Sequence, residues 1–204
     1  MEKSALIIFV RNPVLGKVKT RLAETIGNEK ALLIYTELLK HTHSITKNLE
    51  CDKFVFYADH INEKDIWENE IYRKNVQQAE SLGKRMQHSF SELFDIGYNK
   101  VLIIGSDCYE LTENAIIQAL AVLKSIEVVI GPASDGGYYL LGLQTLLPEI
   151  FQNILWSTSN VLKDTISVLK SLNCAYQLLP VLNDIDDEAD LTDELKIIAG
   201  MRVN

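Results

Sequence analysis

The sequence predicts an α/β protein, a Rossmann-like three-layer sandwich in which helices cover both faces of a mostly parallel sheet. Short unbroken aliphatic runs, such as residues 4–10 and 101–104, are typical of strands that are buried on both faces. These runs alternate along the chain with longer segments whose apolar residues recur at helical spacing. Strands that alternate with helices form parallel sheets through right-handed crossovers.

The length of the chain favours one domain over residues 1–204. A length of 204 residues is close to what one α/β core fills before chains divide into separate domains. No internal repeat, low-complexity tract or linker interrupts the pattern. We therefore expect a single domain.

The elements of the first half follow from this alternation. Pro13 and Gly16 force a turn after the first strand, the pattern becomes helical from Val18, and Gly97 ends a later helix. The pattern predicts strands over residues 4–10, 54–57, 75–78 and 101–104, and helices from residue 18, over 29–46 and over 82–94. Residues 60–74 match neither pattern.

The second half repeats the alternation. Thr112 is a good N-cap for a helix that runs to about Lys124. The next predicted elements are strands over residues 128–130 and 138–141, a helix over 159–171, a strand over 175–179 and a terminal helix after the acidic segment 183–191.

Composition excludes several classes of function. The net charge of −8 argues against nucleic-acid binding, which needs an extended basic surface. No apolar run is long enough to span a membrane, and the N-terminus carries no signal-peptide pattern, so we expect a cytoplasmic protein. The three widely spaced cysteines fit neither a disulfide framework nor a zinc site.

A cationic loop follows the first predicted strand. Its cations are Arg11, Lys17, Lys19 and Arg21, with Gly16 at the turn. A strand, a turn and a helix N-terminus in this order place backbone N–H groups at the carboxyl edge of a sheet, where anions bind. The cluster is local in an acidic chain, so we expect it to bind the phosphates of a small ligand. The alternative is a solvated basic turn.

Three aspartates are candidate ligands for a divalent metal ion: Asp107, Asp184 and Asp186. Asp107 ends an aliphatic strand, where an ionised carboxylate needs a cation or hydrogen-bond donors. Asp184 and Asp186 are two residues apart, so an extended backbone places both on one face. Carboxylate oxygens suit Mg²⁺ or Mn²⁺. The alternatives are a turn role for Asp107 and a helix-dipole role for the other two.

Residues 135–137, Asp-Gly-Gly, predict a tight turn, and this structural explanation is sufficient. The functional alternative is that Gly136 and Gly137 let a ligand approach the backbone while Asp135 or Tyr138 contacts a sugar or another acceptor. Trp156 is either a core residue or a surface on which a substrate ring stacks.

Five separated segments form a specific set when they are taken in order: residues 11–22, 82–86, 104–108, 131–140 and 184–187. Together they resemble the DUF2064 proteins of the GT-A-like nucleotide-diphospho-sugar transferase superfamily over nearly the whole chain. That family is similar to guanylyltransferases that activate phospholactate and to molybdenum-cofactor nucleotidyltransferases. The resemblance implies a GT-A-like fold in which the first loop and residues Gly83 and Arg85 bind a nucleotide and Asp107 coordinates a metal ion.

The resulting hypothesis is a metal-dependent transferase, with Lys19 and Asp107 as catalytic residues, that acts on a nucleoside di- or triphosphate compound and a small-molecule acceptor. The first interpretation is a GT-A-type glycosyltransferase that uses a nucleoside-diphosphate sugar. The first alternative is a nucleotidyltransferase that couples a nucleoside triphosphate to a small phosphorylated or carboxylate acceptor and releases pyrophosphate. The second alternative is a non-catalytic nucleotide-binding protein, which is motivated by Tyr109 and by Glu80-Ser81, where the family usually has Pro and Gly-Asp.

Overall fold

The computed structural model describes residues 3–203, which form one seven-stranded sheet flanked by helices. The strands are β1 (Ser4–Val10), β2 (Asp52–Tyr57), β3 (Tyr72–Val76), β4 (Lys100–Ile104), β5 (Val128–Pro132), β6 (Tyr138–Leu143) and β7 (Tyr176–Leu178). The α-helices are α1 (Thr20–Ile26), α2 (Asn28–Thr46), α3 (Leu82–Asp95), α4 (Glu113–Val122), α5 (Val161–Ser171) and α6 (Asp193–Ile198). Two short 3-10 helices span Pro148–Phe151 and Glu188–Asp190.

The sheet has the strand order β3-β2-β1-β4-β6-β5-β7. β1 pairs in parallel with β2 and β4, β2 with β3, and β5 with β7. β6 is the exception, because it follows β5 through the turn at residues 133–137 and lies antiparallel to both of its neighbours. The prediction of a mostly parallel sheet is therefore confirmed.

Successive side chains of a strand point to opposite faces of the sheet, so each strand contributes to two hydrophobic cores. Helices cover both faces. Leu6 and Ile8 of β1 belong to the core that α2, α4 and α6 complete. Ala5 and Ile7 belong to the core on the other face, which α3, α5 and the 3-10 helix Pro148–Phe151 complete. This arrangement confirms the three-layer sandwich.

The structure differs from the predicted elements at several boundaries. Gly27, with φ 87°, separates α1 from α2. β3 spans Tyr72–Val76 rather than 75–78, because its register is determined by its pairing with β2, in which Val76 lies opposite Tyr57. α5 begins at Val161, two residues later than predicted. Within residues 3–203, no helix is long and apolar enough to cross a membrane.

The parallel pairing decides where the site lies. Ile8 of β1 lies opposite Ile104 of β4, so these two strands end at the same edge of the sheet. The cationic loop leaves β1 at this edge, and Asp107 follows β4 at the same edge. Two segments that are far apart in the sequence thus meet at one place.

Candidate active site

A cavity of about 840 Å³ lies at the carboxyl edge of β1 and β4. It is lined by most of the predicted site residues: Arg11, Lys17, Lys19, Arg21, Arg85, Asp107, Asp135, Gly137, Tyr138, Trp156, Asp184 and Asp186. Gly16, Gly83 and Gly136 are not among its lining residues. The structure therefore brings the cationic loop, the three aspartates and the proposed acceptor residues into one space.

The cationic loop has a defined backbone. The Lys17 N–H donates to the Val14 carbonyl at 3.0 Å, and Gly16 takes φ 73° to close this turn. Lys19 is a non-glycine residue in the left-handed region, with φ 46° and ψ 48°, directly before α1. Such conformations are strained, and they concentrate at functional sites.

Lys19 is the central charge of the cavity. Its Nζ lies 2.9 Å from Asp107 Oδ1 and 3.1 Å from Asp186 Oδ1, and its side chain is 5% exposed. Burial disfavours the ammonium, but the two carboxylates outweigh burial and raise the pKa of Lys19. Arg21 lies 3.9 Å from Asp186 Oδ2, but its side chain is 76% exposed, so this contact is a weak surface pair.

Arg11 and Lys17 are exposed in the same loop. The backbone of Arg11 is nevertheless fixed by Tyr35 of α2. The Arg11 N–H donates to the Tyr35 hydroxyl oxygen at 2.7 Å, and that hydroxyl lies 3.1 Å from the Arg11 carbonyl oxygen and 3.4 Å from Ser106 Oγ. Tyr35 therefore ties the start of the loop to the turn that carries Asp107.

The aspartates come from two segments that are joined through the backbone. The Ile185 N–H donates to the Asp107 carbonyl oxygen at 2.9 Å, which places Asp184 and Asp186 beside Asp107. Asp184 is largely buried, and burial together with the carboxylates of Asp107 and Asp135 raises its pKa to about 7. The cluster thus holds more negative charge than Lys19 alone compensates.

Asp190 holds this acidic segment in shape. Its carboxylate accepts the backbone N–H groups of Asp186 and Asp187, both at 2.9 Å, and Asn183 Nδ2 at 3.0 Å. Burial opposes its charge, but these hydrogen bonds outweigh burial and lower the pKa of Asp190. Asp190 is therefore an acceptor that fixes the segment rather than a group that faces the cavity.

The predicted metal site has an internal cation beside it. Among residues 3–203, no group of three His, Cys, Asp or Glu side chains is arranged to hold a metal ion. Two of the three predicted ligands, Asp107 and Asp186, instead contact the ammonium of Lys19. Metal binding by the three aspartates stays a prediction.

Residues 133–137 form the tight turn that the sequence predicts. The Gly137 N–H donates to Asp135 Oδ1 at 2.8 Å, and the Ala133 N–H donates to the Gly137 carbonyl oxygen at 3.0 Å. Gly136, with φ 90°, faces Ser159, whose carbonyl oxygen would lie 2.1 Å from an added Cβ atom. The geometry of the turn explains both glycines. Asp135 and Gly137 line the cavity, whereas Gly136 does not.

Trp156 belongs to loop 152–160, which forms one wall of the cavity. Its indole covers Gly83 at the start of α3, where an added Cβ would lie 2.1 Å from the indole Nε1. Phe151 stacks on the indole with ring centres 6.4 Å apart, and Tyr138 meets it edge-on at 6.2 Å. Trp156 is therefore both packed against the core and part of the cavity wall.

The cavity lining also includes residues that the sequence analysis does not predict as site residues, among them Gln77 and Tyr35. Gln77 follows β3, donates through Nε2 to the Phe56 carbonyl at 3.0 Å and accepts from Arg85 at 3.4 Å. Arg85 also donates to the Ala79 carbonyl at 2.9 Å. A polar residue directly after a strand is a usable signal for Gln77, whereas Tyr35 lies on an apolar helical stripe that equally indicates core.

The comparisons with known proteins identify the family of the chain. The DUF2064 family, described as an uncharacterized protein conserved in bacteria, matches residues 41–158. The chain belongs to the DUF2064 family. The predicted resemblance to this family is thereby confirmed, and the matched range contains three of the five segments: residues 82–86, 104–108 and 131–140.

Solved structures extend the DUF2064 match to the whole fold. A protein from Desulfovibrio desulfuricans G20, provisionally assigned as a nucleotide-diphospho-sugar transferase, is 30% identical, covers 96% of this chain and 91% of its own, and superposes with a TM-score of 0.84. The inositol-1-phosphate CTP transferase from T. maritima has 12% identity and a TM-score of 0.56, over 98% of this chain and 95% of its own. That second likeness concerns the fold alone.

One curated relative of this DUF2064 chain has a named reaction. The 2-phospho-L-lactate guanylyltransferase of Methanocaldococcus sp. (strain FS406-22) is 26% identical over 132 residues, which are 64% of this chain. The chain spans 56% of the length of that guanylyltransferase. The chain is thus similar in sequence to a guanylyltransferase, and it shares its fold with a nucleotide-dependent transferase.

Proposed function

We propose that this DUF2064 protein is a nucleotidyltransferase that joins a nucleoside triphosphate to a small phosphorylated or carboxylate acceptor and releases pyrophosphate. The observation that carries the proposal is Lys19, a nearly buried ammonium between Asp107 and Asp186 at the strand edge where the cationic loop begins. The likeness to a guanylyltransferase supports it.

The charges of the loop suit a triphosphate. Four cations of the loop line the cavity: Arg11, Lys17, Lys19 and Arg21. Three or four cations match the charge of a triphosphate better than that of a diphosphate that carries a neutral sugar. These groups would bind the phosphates and stabilise the charge that grows on pyrophosphate as it leaves.

The proposed reaction includes a divalent metal ion on the acidic side of the cavity. Asp107, Asp184 and Asp186 supply oxygen donors, and the raised pKa of Asp184, which is caused by burial and by the neighbouring carboxylates, reflects uncompensated negative charge. These three residues would hold Mg²⁺ or Mn²⁺. When bound, such an ion neutralises phosphate oxygens during transfer.

The reaction itself needs little covalent participation by the protein. An acceptor oxygen forms a bond to the α-phosphorus, the bond from that phosphorus to the bridging oxygen breaks, and the electron pair leaves with pyrophosphate. Lys19 would hold the departing oxygens, while Trp156 and the turn at Asp135 would orient the acceptor. A phosphate or carboxylate acceptor reacts as an anion, so no general base is required.

Glycosyl transfer from a nucleoside-diphosphate sugar is the second candidate. It is favoured by the provisional assignment of the Desulfovibrio desulfuricans G20 protein, which is 30% identical to this chain. In that reaction an acceptor attacks a sugar carbon and a nucleoside diphosphate leaves. The two candidates therefore differ in donor and in product.

Thermal unfolding with a panel of ligands tests the proposal. Each nucleoside triphosphate and each common nucleoside-diphosphate sugar is added with Mg²⁺, and with EDTA as the matched control. A ligand at 100 times its Kd adds about 2.7 kcal/mol to the free energy of unfolding, which is a measurable shift. We expect a triphosphate to stabilise the protein in Mg²⁺ and less in EDTA.

The product then decides between the candidates. Pyrophosphate release with an acceptor supports nucleotidyl transfer, whereas release of a nucleoside diphosphate from a nucleotide sugar supports glycosyl transfer. Tight nucleotide binding without either product supports the non-catalytic alternative. A protein that no nucleotide stabilises contradicts all three.

A further inference from the structure

Lys19 faces two possible sets of anions. In the structure its ammonium contacts one oxygen each of Asp107 and Asp186, and its side chain is 5% exposed. Under the proposed function the same ammonium binds phosphate and the same carboxylates bind a divalent cation. These two arrangements place Lys19 differently, and the structure has the first of them.

We propose that Lys19 is an internal counter-ion that a divalent cation replaces when phosphates bind. In the structure Lys19 forms ion pairs with Asp107 and Asp186. When the phosphates of a nucleotide reach the loop, the ammonium turns to them and the carboxylates become available to the metal ion. This inference rests on the proposed function and adds a rule to it, namely that nucleotide and metal bind cooperatively.

The geometry does not allow both cations to use the same two oxygens. A metal ion binds carboxylate oxygens at about 2.1 Å, so an ion on Asp107 and Asp186 would lie within roughly 4 Å of the ammonium in its present position. Two positive charges at that distance repel, and only the ammonium is nearly buried, since the side chains of Asp107 and Asp186 are 44% and 45% exposed. The repulsion favours withdrawal of one cation when the other binds.

The side chain that would leave is built to move. Lysine carries its charge on a flexible four-carbon stem, and the residue lies in the cationic loop itself, between Lys17 and Arg21. Rotation about the bonds of the stem would turn the ammonium from the carboxylates toward the other cavity-lining residues of the loop.

Withdrawal of the ammonium would strengthen cation binding. Among residues 3–203, the remaining ion-pair partner of the three aspartates Asp107, Asp184 and Asp186 would be the exposed guanidinium of Arg21, which is 3.9 Å from Asp186. Buried or half-buried carboxylates without a compensating cation are costly, so their affinity for a metal ion rises. By thermodynamic linkage, the metal must raise the affinity for the nucleotide by the same factor.

The test uses Mn²⁺ alone, without any nucleotide, and detects free Mn²⁺ by electron paramagnetic resonance. Wild-type protein is compared with Lys19→Gln, which keeps a polar side chain but removes the charge. We expect the variant to bind Mn²⁺ about tenfold more tightly or better, because the internal competitor is gone. Lys19→Met gives the same comparison with an apolar side chain, and circular dichroism confirms folding of each variant.

Two controls locate the effect. Lys47→Gln removes one positive charge at an exposed side chain that does not line the cavity, so its Mn²⁺ affinity should stay within about twofold of wild type. The double variant Lys19→Gln/Asp107→Asn should lose the gain in Mn²⁺ affinity that Lys19→Gln shows, since it lacks one of the two carboxylates that Lys19 contacts.

The outcomes separate this inference from the proposed function. Unchanged or weaker Mn²⁺ binding by folded Lys19→Gln or Lys19→Met overturns the exchange, even if wild-type protein binds a nucleotide with Mn²⁺. A wild-type protein in which Mn²⁺ and nucleoside triphosphate do not enhance each other's binding overturns it without any variant. If no nucleotide binds in the presence of Mn²⁺, the proposed function itself fails.

Discussion

The two walls of the cavity are held in place by different forces. The charged wall is held by ion pairs and hydrogen bonds, and it consists of Lys19, Asp107, Asp184 and Asp186. The packed wall is loop 152–160, which is held by close contact, with Trp156 against Gly83 and Ser159 against Gly136.

This difference separates function from stability. The charged wall contains a strained backbone at Lys19. It also contains the carboxyl group of Asp184, whose pKa is raised to about 7 by burial and neighbouring carboxylates. Both features lower the free energy of unfolding. The packed wall contributes buried contacts, and the free energy of unfolding falls when a substitution disrupts these contacts. Substitutions in the charged wall should therefore affect binding and turnover, and those in the packed wall should affect folding.

The largest expected effect is the loss of turnover in Asp107→Asn. The substitution removes one charge from the charged wall with almost no change in shape. Loss of one preorganised electrostatic group costs about 2 to 4 kcal/mol of transition-state stabilisation. We expect kcat/KM to fall by roughly 30- to 1,000-fold, measured as product release from the donor that stabilises the wild type.

The control for that variant is Asp59→Asn, which removes an exposed carboxylate after β2 and should leave kcat/KM unchanged. Near wild-type turnover in Asp107→Asn would show that the charged wall has no catalytic role. The melting temperatures of both variants should stay close to that of the wild type.

The packed wall is tested by Gly136→Ala. At this position φ is 90°, and the new Cβ would lie 2.1 Å from the carbonyl oxygen of Ser159. Backbone strain and overpacking together should cost about 3 kcal/mol of the free energy of unfolding. Chemical denaturation measures this loss.

A matched control separates strain from contact. Gly97 has a similar φ of 94°, but nothing lies within 4 Å of an added Cβ. Gly97→Ala should therefore lower the free energy of unfolding only through backbone strain, by about 1 kcal/mol. Equal losses in the two variants would mean that loop 152–160 does not depend on its contact with Gly136.

Asp184→Asn should stabilise the ligand-free protein. The folded-state pKa of Asp184 is about 7 against an ordinary value of 3.8, so the folded protein holds this proton more tightly than the unfolded chain. Its charge therefore reduces stability as the pH rises from about 4 to about 7, and the full cost is present above pH 7. We expect Asp184→Asn to raise the free energy of unfolding by about 2 kcal/mol at pH 8.5. This value is half of the free energy that corresponds to the pKa shift, because the side chain of Asp184 is partly exposed.

The gain should shrink by about half at pH 5.5, where the folded protein already holds the proton. Urea denaturation at the two pH values measures it, with Asp59→Asn as the control for removal of an exposed aspartate. A pH-independent gain would mean that the cost of Asp184 is not electrostatic. Mn²⁺ binding should weaken in the same variant, which would be a direct exchange of function for stability.

Much of the fold could be predicted because it follows from local patterns. Buried strands and amphipathic helices have recognisable periods, and turns such as residues 135–137 have recognisable composition. The position of β6 between β4 and β5 could not be predicted in this way, because strand pairing depends on which partners complete the sheet. The same holds for β3, whose register is determined by β2.

The candidate site shows the same division. Lys19 and Asp186 could be nominated by charge and position, but their hydrogen bond joins residues 167 positions apart and depends on the whole fold. Asp190 looked like part of an acidic run, although its three accepted hydrogen bonds fix the segment. The contacts of Tyr35 with the site could not be predicted, because a tyrosine on an apolar helical stripe is usually a core residue.

Tyr35→Phe tests whether that hidden residue supports the charged wall. The variant keeps the ring packed and removes the hydroxyl that accepts from the Arg11 N–H and lies near Ser106 Oγ. We expect a loss of about 1 kcal/mol of stability, typical for a buried hydrogen bond. Nucleotide affinity should fall about fivefold, because the loop and the turn that carries Asp107 lose their common tie.

Tyr72→Phe is the matched control, since its hydroxyl contacts Thr46 Oγ1 at 2.9 Å on the side of α2 away from the cavity. It should lose similar stability, because it also removes one buried hydroxyl, but it should bind the nucleotide like the wild type. If both variants bound the nucleotide equally well, Tyr35 would be a core residue after all. The charged wall would then owe its geometry to Asp190 and the Ile185–Asp107 backbone contact alone.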